Sequence, residues 1–233
     1  FIDMDVIEPL DKEDIPAEAN IVGSIFIYKL KRLADGTIDK YKARLVCQGF
    51  SQMYGVDFTD TFAPVSQLLS VRFTIIMAIQ HALKTHHVDV KSAFLNSTLK
   101  DDVYVRLPKG FEIAGKRYGK AIKSIYGLRQ AAHDWFALSD SFIKSHDSRF
   151  KQSTVEPCLY YIWSDELKVV ISTHVDDYII ACSCDKWYAD FMRNFSTQFE
   201  VNDLGELSHV LQMKVDWGDD WVELSQKCHI EDL

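Results

Sequence analysis

Strand-like and helical segments mixed without regular β-α-β alternation predict an α+β fold, and three features of the sequence carry that reading. Val169 to Ser183 reads as two β-branched, apolar runs flanking Asp176-Asp177, the pattern of a tight hairpin. Leu68, Leu69, Arg72, Phe73, Ile76, Ile79 and Leu83 recur at helical spacing behind Ser66, a candidate N-cap. No internal repeat or low-complexity run points instead to a solenoid or a disordered chain.

Taken in order, residues 1–20 are acidic, contain Pro9 and Pro16, and are expected to form an entering arm. Ile21 to Leu33 and Tyr41 to Gln48 read as strands joined through Asp35-Gly36, a strong hairpin signal. Lys42 and Arg44 fall two apart and share one strand face, where paired cations suit adjacent phosphate oxygens; an exposed charged face is the alternative. Gly49 to Pro64 reads as irregular, and the helix behind Ser66 is expected to be core. Thr85 to Leu95 is a short strand running into a turn, with Asp89 between Val88 and Val90, an unusual place for a charge except at a strand end. His86 and His87 are adjacent and would face opposite ways, so ordinary polar roles are preferred for both.

Tyr104 to Leu107 reads as a strand, Pro108 to Lys120 as a basic loop, and roughly Ala132 to His146 as a helix. Strands are expected at Cys158 to Trp163 and on both sides of Asp176-Asp177, then a helix over about Trp187 to Phe199. Two short strands, Val210 to Trp217 and Trp221 to Leu224, close the chain. The Asp176-Asp177 turn combines residues pressed toward positive φ with two carboxylates that no local Lys or Arg neutralises. A divalent cation with a taste for hard oxygen ligands, magnesium or manganese, would neutralise it; a plain solvated turn is the alternative.

Composition bounds the function. At 47% hydrophobic and 12% aromatic, 233 residues can bury a substantial core. No run approaches the roughly 18 apolar residues of a membrane helix, and nothing resembles a signal or transit peptide. Phe1 and the amphipathic ending at Leu233 read as the edges of a piece cut from a longer chain. Cys47, Cys158, Cys182, Cys184 and Cys228 lie mostly in apolar runs and are read as reduced thiols, with Cys182 and Cys184 alternating on one strand as packing residues. The net charge is −8, yet residues 29–44 carry +4 and residues 109–129 carry +5, leaving −17 elsewhere. Two basic islands in an acidic chain could line a groove that tracks a nucleic-acid backbone, or could be solvated loops.

Five blocks then occur in order: Tyr41-Lys-Ala-Arg-Leu-Val-Cys-Gln-Gly49, Thr61-Phe-Ala-Pro-Val65, Val88-Asp-Val-Lys-Ser-Ala-Phe-Leu-Asn96, Ile125-Tyr-Gly-Leu-Arg-Gln-Ala-Ala132 and Val175-Asp-Asp177. Together they resemble the reverse transcriptase of copia-type (Pseudoviridae) LTR retrotransposons, over nearly the whole chain from Ile21. The resemblance implies a right-hand polymerase with fingers and palm, the palm ferredoxin-like with an antiparallel sheet and helices on one face. The implied divisions are an acidic arm (1–20), fingers with the first palm helix (21–84), the palm motif with Asp89 (85–100), the fingers return (101–131), the palm with its Asp-Asp hairpin (132–217) and the start of a truncated thumb (218–233). It implies RNA-directed DNA synthesis by two magnesium ions (or manganese) about 3.5–4 Å apart, on a template–primer duplex with deoxynucleoside triphosphates. The thumb, connection and RNase H regions of a parent polyprotein are expected as partners, with no membrane, in the cytoplasm or in a virus-like particle.

Carried over residue by residue, Asp89 and Asp176 match the main metal-binding carboxylates, Asp177 is secondary, and the Val90 carbonyl is an extra ligand. Phe94 matches the steric gate against a ribose 2′-hydroxyl, Gln130 a position beside the incoming nucleotide, and Lys42 and Arg44 the fingers region that grips the triphosphate. Four positions depart from the family. His174 replaces a usual Tyr or Phe beside the primer end, Gln212 and Ser97 stand where Gly is common, and His229 where Tyr is common. These departures favour a second reading, a drifted or domesticated copy that binds nucleic acid without copying it. A third, a carboxylate hydrolase, fits poorly: Asp-Thr/Ser-Gly loops are absent, and adjacent carboxylates on a turn do not match a glycosidase's separated acid and base.

Overall fold

The computed structural model describes residues 4–32, 37–227 and 230. The chain opens with strands β1 (Ile7–Leu10), β2 (Ile21–Arg32) and β3 (Ile38–Cys47), then helix α1 (Leu68–Gln80) and β4 (Lys84–Val90). Strands β5 (Thr98–Arg106) and β6 (Tyr118–Lys123) precede α2 (Ala131–His146), followed by β7 (Lys151–Gln152), β8 (Leu159–Trp163), β9 (Lys168–His174) and β10 (Asp177–Cys182). Helix α3 (Asp185–Gln198), β11 (Val201–Asp203), β12 (His209–Val210), β13 (Met213–Trp217) and β14 (Val222–Ser225) complete it. The mixture is α+β, as the sequence predicts. Two compact units result, Phe1–Ala63 with Ser92–Leu138 and Pro64–Lys91 with Ser139–Leu233; one boundary falls inside α2.

In the first unit a five-stranded sheet runs β1-β6-β5-β2-β3, with only the β2–β5 pair parallel. Val22, Val103, Val105, Ala121 and Ile125 form the centre of its core. The expected arm is more than an arm: β1 pairs with β6 and buries Val6 and Ile7, so short range and two prolines hid an edge strand. Strand β6 likewise begins inside the stretch read as a basic loop: Gly119 and Ala121 pack inward while Lys120 between them stays half-exposed, paired with Asp102 at 2.6 Å. Strands β2 and β3 pair as expected; Leu33 and the Asp35-Gly36 turn lie outside the described residues.

The second unit holds a six-stranded, wholly antiparallel sheet in the order β11-β4-β10-β9-β8-β7. With α2 between β4 and β9 and α3 between β10 and β11, the run β11-β4-β10-β9 has the ferredoxin-like order. Successive residues of β10 face opposite ways, and they find different partners. Tyr178 reaches Ser139 of α2 and Phe195 of α3, beside Phe142, Phe191 and Phe199. Ile179 packs with Val71 and Ile75 of α1 and with Val210, Met213 and Val215 of the small β12-β13-β14 sheet. Helices therefore cover both faces, which corrects the expectation of one. Double coverage also explains why β9 and β10 read as continuous apolar runs: β9 buries residues 169–173 and β10 residues 178–182.

Helix α1 departs from its reading in two ways. Its N-cap is Gln67, not Ser66, and Glu156 supplies the missing acceptor, taking bonds from the Gln67 N–H at 3.3 Å and the Ser70 hydroxyl at 3.1 Å. Ser66 instead bonds Ser172. The face it buries is Ser70, Val71, Thr74, Ile75 and Ala78, while Leu69, Phe73 and Ile76 are exposed. Apolar residues surround this helix, so periodicity could not choose its buried face. Cys184 caps α3 and is not on a strand; Cys47, Cys158, Cys182 and Cys184 are free thiols, and Cys228 lies outside the described residues. The segment read as a thumb start contributes β14 to the three-stranded sheet. Among the described residues no helix is long and apolar enough to cross a membrane.

Candidate active site: a polar row across four strands

Strand register assembles the site. Asn202 of β11 is opposite Asp89 of β4, Asp89 opposite Asp177 of β10, and Asp177 opposite His174 of β9. Residues directly opposed across a sheet project to one face, so four polar side chains form a row where the apolar strands end. Asp177 is an ordinary strand residue; the turn is Val175-Asp176, one residue earlier than expected, because Asp177 pairs with both neighbouring strands. Val175 takes φ +56°, and Asp176 does not share that sign, the type II′ pattern that favours Gly at the first position. For a β-branched residue this is a strained conformation, costing about 1–3 kcal/mol. The Val90 N–H donates to the Asp176 carbonyl at 2.8 Å, tying the turn to the end of β4.

Asp176 is half-buried, and its carboxyl is raised above the usual range. Burial is the largest cause; the charges of Asp177 and Asp89 push the same way, while its own backbone N–H and His174 oppose them. Asp177 Oδ1 lies 2.8 Å from His87 Nε2, and Asp89 Oδ1 accepts from Asn202 Nδ2 at 3.3 Å. His174 Nδ1 donates to the Ser66 carbonyl at 3.3 Å, so its partner is the segment before α1. Because Asp176 sits in the turn, His174 shares its face with Asp177 and not, as expected, by strand alternation with Asp176. The donor set is all oxygen and suits a hard divalent cation. Among the described residues, no three His, Cys, Asp or Glu side chains draw together tightly enough to hold an ion.

The first unit holds the other expected residues. Arg44 lies over the Tyr126 ring at 5.9 Å, and Phe94 meets the same ring at 4.8 Å and 55°. Tyr126 thus joins three of the sequence blocks. Two glycines allow it: a Cβ on Gly127 (φ +89°) would stand 2.2 Å from the Cys47 carbonyl oxygen, and one on Gly49 would stand 2.0 Å from that of Gly127. Lys42 shares the Arg44 face and is directly opposite Lys29, with Lys40 opposite Lys31. Gln130 is buried at 2% exposure, accepting from Gln52 Nε2 at 3.0 Å and donating to the Asp57 carbonyl at 2.8 Å. Its amide therefore braces the loop that also holds Arg129 against the Gly49 carbonyl.

Sequence reasoning missed His87, Asn202 and Tyr126. The signal for His87 was present, since two residues from Asp89 on a strand means the same face. Nothing in the sequence marked Asn202, whose role depends on β11 pairing with β4.

The family described as reverse transcriptase (RNA-dependent DNA polymerase) matches residues 10–233. The Pol polyprotein of transposon TNT 1-94 from Nicotiana tabacum is 36% identical over 82% of this chain and 14% of its own length. That of transposon RE1 from Arabidopsis thaliana is 31% identical over 94% of this chain and 15% of its own. The chain thus spans about one-seventh of these relatives' length (14% and 15%). A foamy viral protease–reverse transcriptase solved with double-stranded DNA aligns over 90% of this chain and 34% of that one, at TM-score 0.41 and 11% identity, too distant to carry an argument. The chain belongs to the reverse transcriptase (RNA-dependent DNA polymerase) family, as carried by the Pol polyproteins of copia-type transposons.

Proposed function

We propose that the second unit is a polymerase palm that carries out RNA-directed DNA synthesis, and that the first is its fingers. One observation carries the reading: Asp89 and Asp177 are directly opposed on adjacent strands, with Asp176 at the strained turn beside them. Held by Asp89 and Asp176, with Asp177 and the Val90 carbonyl in support, magnesium or manganese would supply positive charge to the attacking and leaving oxygens of an in-line transfer. A carboxyl raised first by burial and then by two like charges is one that a cation would stabilise in its ionised form. The tie between Asp177 and His87 agrees with a secondary place for Asp177. In the fingers, Lys42 and Arg44 would take the triphosphate of a deoxynucleotide, and the Phe94 ring would exclude a ribose 2′-hydroxyl. Gln130, closed within the protein, enters as a brace for the Arg129 loop and not as a nucleotide contact in this conformation. The partners are a template–primer duplex and deoxynucleoside triphosphates.

A second reading has its own support, since the carboxylates do not draw into one ligand set among the described residues. On that reading the chain binds template–primer without extending it. Primer extension on an RNA template, with magnesium and then manganese, separates the two. The parent should extend the primer and Asp89→Asn should not, while both retain primer–template. A parent inert with either metal, yet binding the duplex, leaves only the second reading. Phe94→Ala should admit ribonucleotides while keeping deoxynucleotide use; unchanged discrimination would remove Phe94 from the gate.

A further inference from the structure

We infer that His87 is a positioning residue that holds Asp177 by one carboxylate oxygen, with Asn202 holding Asp89 from the other side; the inference rests on the reading of this row as a cation site. Asp89 and Asp177 are directly opposed like charges, with Cβ atoms about 4.5–5.5 Å apart in such pairs. Left alone, two such groups swing away from each other. Each instead meets a donor: His87 Nε2 at 2.8 Å from Asp177 Oδ1, and Asn202 Nδ2 at 3.3 Å from Asp89 Oδ1. A nitrogen beside a carboxylate oxygen at 2.8 Å must carry its proton there, because the carboxylate only accepts.

His87 is built to hold still. Its side chain is 13% exposed, against 31% for Asp177, so water competes poorly for the bond. Its N–H donates to the Gly205 carbonyl and its carbonyl accepts from Leu204, both at 2.8 Å, while β10 pairs along its other edge. His86 next to it has a different fate on the opposite face, stacked on Tyr188 with centroids 3.5 Å apart. Adjacent histidines thus do separate work, one for packing and one for the row. With one oxygen of each carboxylate engaged, the other stays available to a ligand. Outer-shell partners of this kind orient ligands, and losing one typically weakens metal binding about 10–100-fold.

Manganese titration followed by electron paramagnetic resonance tests this without relying on turnover. His87→Leu should bind Mn2+ about 10-fold more weakly than the parent, and His87→Gln, which keeps an N–H donor, should recover most of the loss. The thermal midpoints of the Leu and Gln variants should agree, so that folding does not explain the difference. Asn202→Ala should show a smaller loss, its bond being the longer one. If His87→Leu does not fold, His87→Met, an unbranched stem with no donor, carries the same expectation. Binding by these donor-less variants as tight as the parent's, or tighter, overturns the inference. Asp89→Asn is the separate control: if it binds Mn2+ like the parent, or the parent binds none, the cation reading itself falls.

Discussion

Two hairpins of the second unit turn on two residues each, and neither turn contains glycine. Between β9 and β10, Val175 takes φ +56°; between β12 and β13, Leu211 and Gln212 take +46° and +65°. Left-handed backbone costs a non-glycine residue roughly 1–2 kcal/mol. By strain alone, the second turn would be the stronger functional candidate. Their surroundings separate them. The first leads into Asp177, opposite Asp89, and its Asp176 carbonyl is bonded by Val90. The second is bounded by Val210 and Met213, both buried in the apolar cluster of Val71 and Ile75. Strain marks where a backbone is over-determined; the carboxylates mark where chemistry can follow from it.

The largest expected effect lies at the first turn. Asp176→Asn should lower primer extension by at least about 100-fold, since metal stabilisation of a transition state is worth several kcal/mol. The same substitution should raise stability. Burial, then Asp177 and Asp89, raise the folded carboxyl above its usual value. A carboxyl raised on folding disfavours the folded state while it is ionised, and that penalty disappears as pH falls through the raised value. Thermal midpoints of Asn variant and parent should therefore differ most at neutral pH and converge on acidification. A variant less stable than the parent at pH 7 would show that Asp176 is a structural anchor.

A smaller change is expected at His174, directly opposite Asp177. Base–aromatic stacking is worth about 1–3 kcal/mol, and imidazole offers less area than phenol, so His174→Tyr should raise extension about 10-fold. The bond from His174 Nδ1 to the Ser66 carbonyl would be lost, which sets a small stability loss against that gain. Metal dependence should not change. Two inert proteins that hold primer–template equally would favour the non-copying reading.

Most of the fold was legible where pattern and burial coincide. Both β9 and β10 are buried on each face and read as apolar runs, and α3 buries Tyr188, Phe191 and Phe195 on one amphipathic stripe. The α1 face was illegible, because a helix apolar all round gives periodicity no direction. The carboxylates were legible through their order along the chain. Their partners were less so: spacing puts His87 on the face of Asp89, but its tie to Asp177 and the whole place of Asn202 depend on the register of β4 with β10 and β11. Gln130 shows the converse: the block places it in the chain, and its burial against Gln52 and Asp57 is a tertiary fact.

The smallest effects bear most directly on the two turns. Gln212→Gly should remove left-handed strain of about 1–2 kcal/mol while giving back about 0.4–1 kcal/mol through a freer unfolded chain. The net gain of roughly 0.5–1 kcal/mol should lift the thermal midpoint by about 1–4 °C in a protein of this size. Mn2+ binding should be untouched, because this turn is bounded by Val210 and Met213 of the apolar cluster and by no carboxylate. Val175→Gly should be stabilising by the same argument, yet it also loosens Asp176, so its Mn2+ binding should weaken. If both glycines stabilise and neither alters Mn2+ binding, strain at Val175 has no part in holding Asp176. If Gln212→Gly weakens Mn2+ binding as much as Val175→Gly does, the two turns are coupled, and the distinction between a strained scaffold and a strained site fails for this protein.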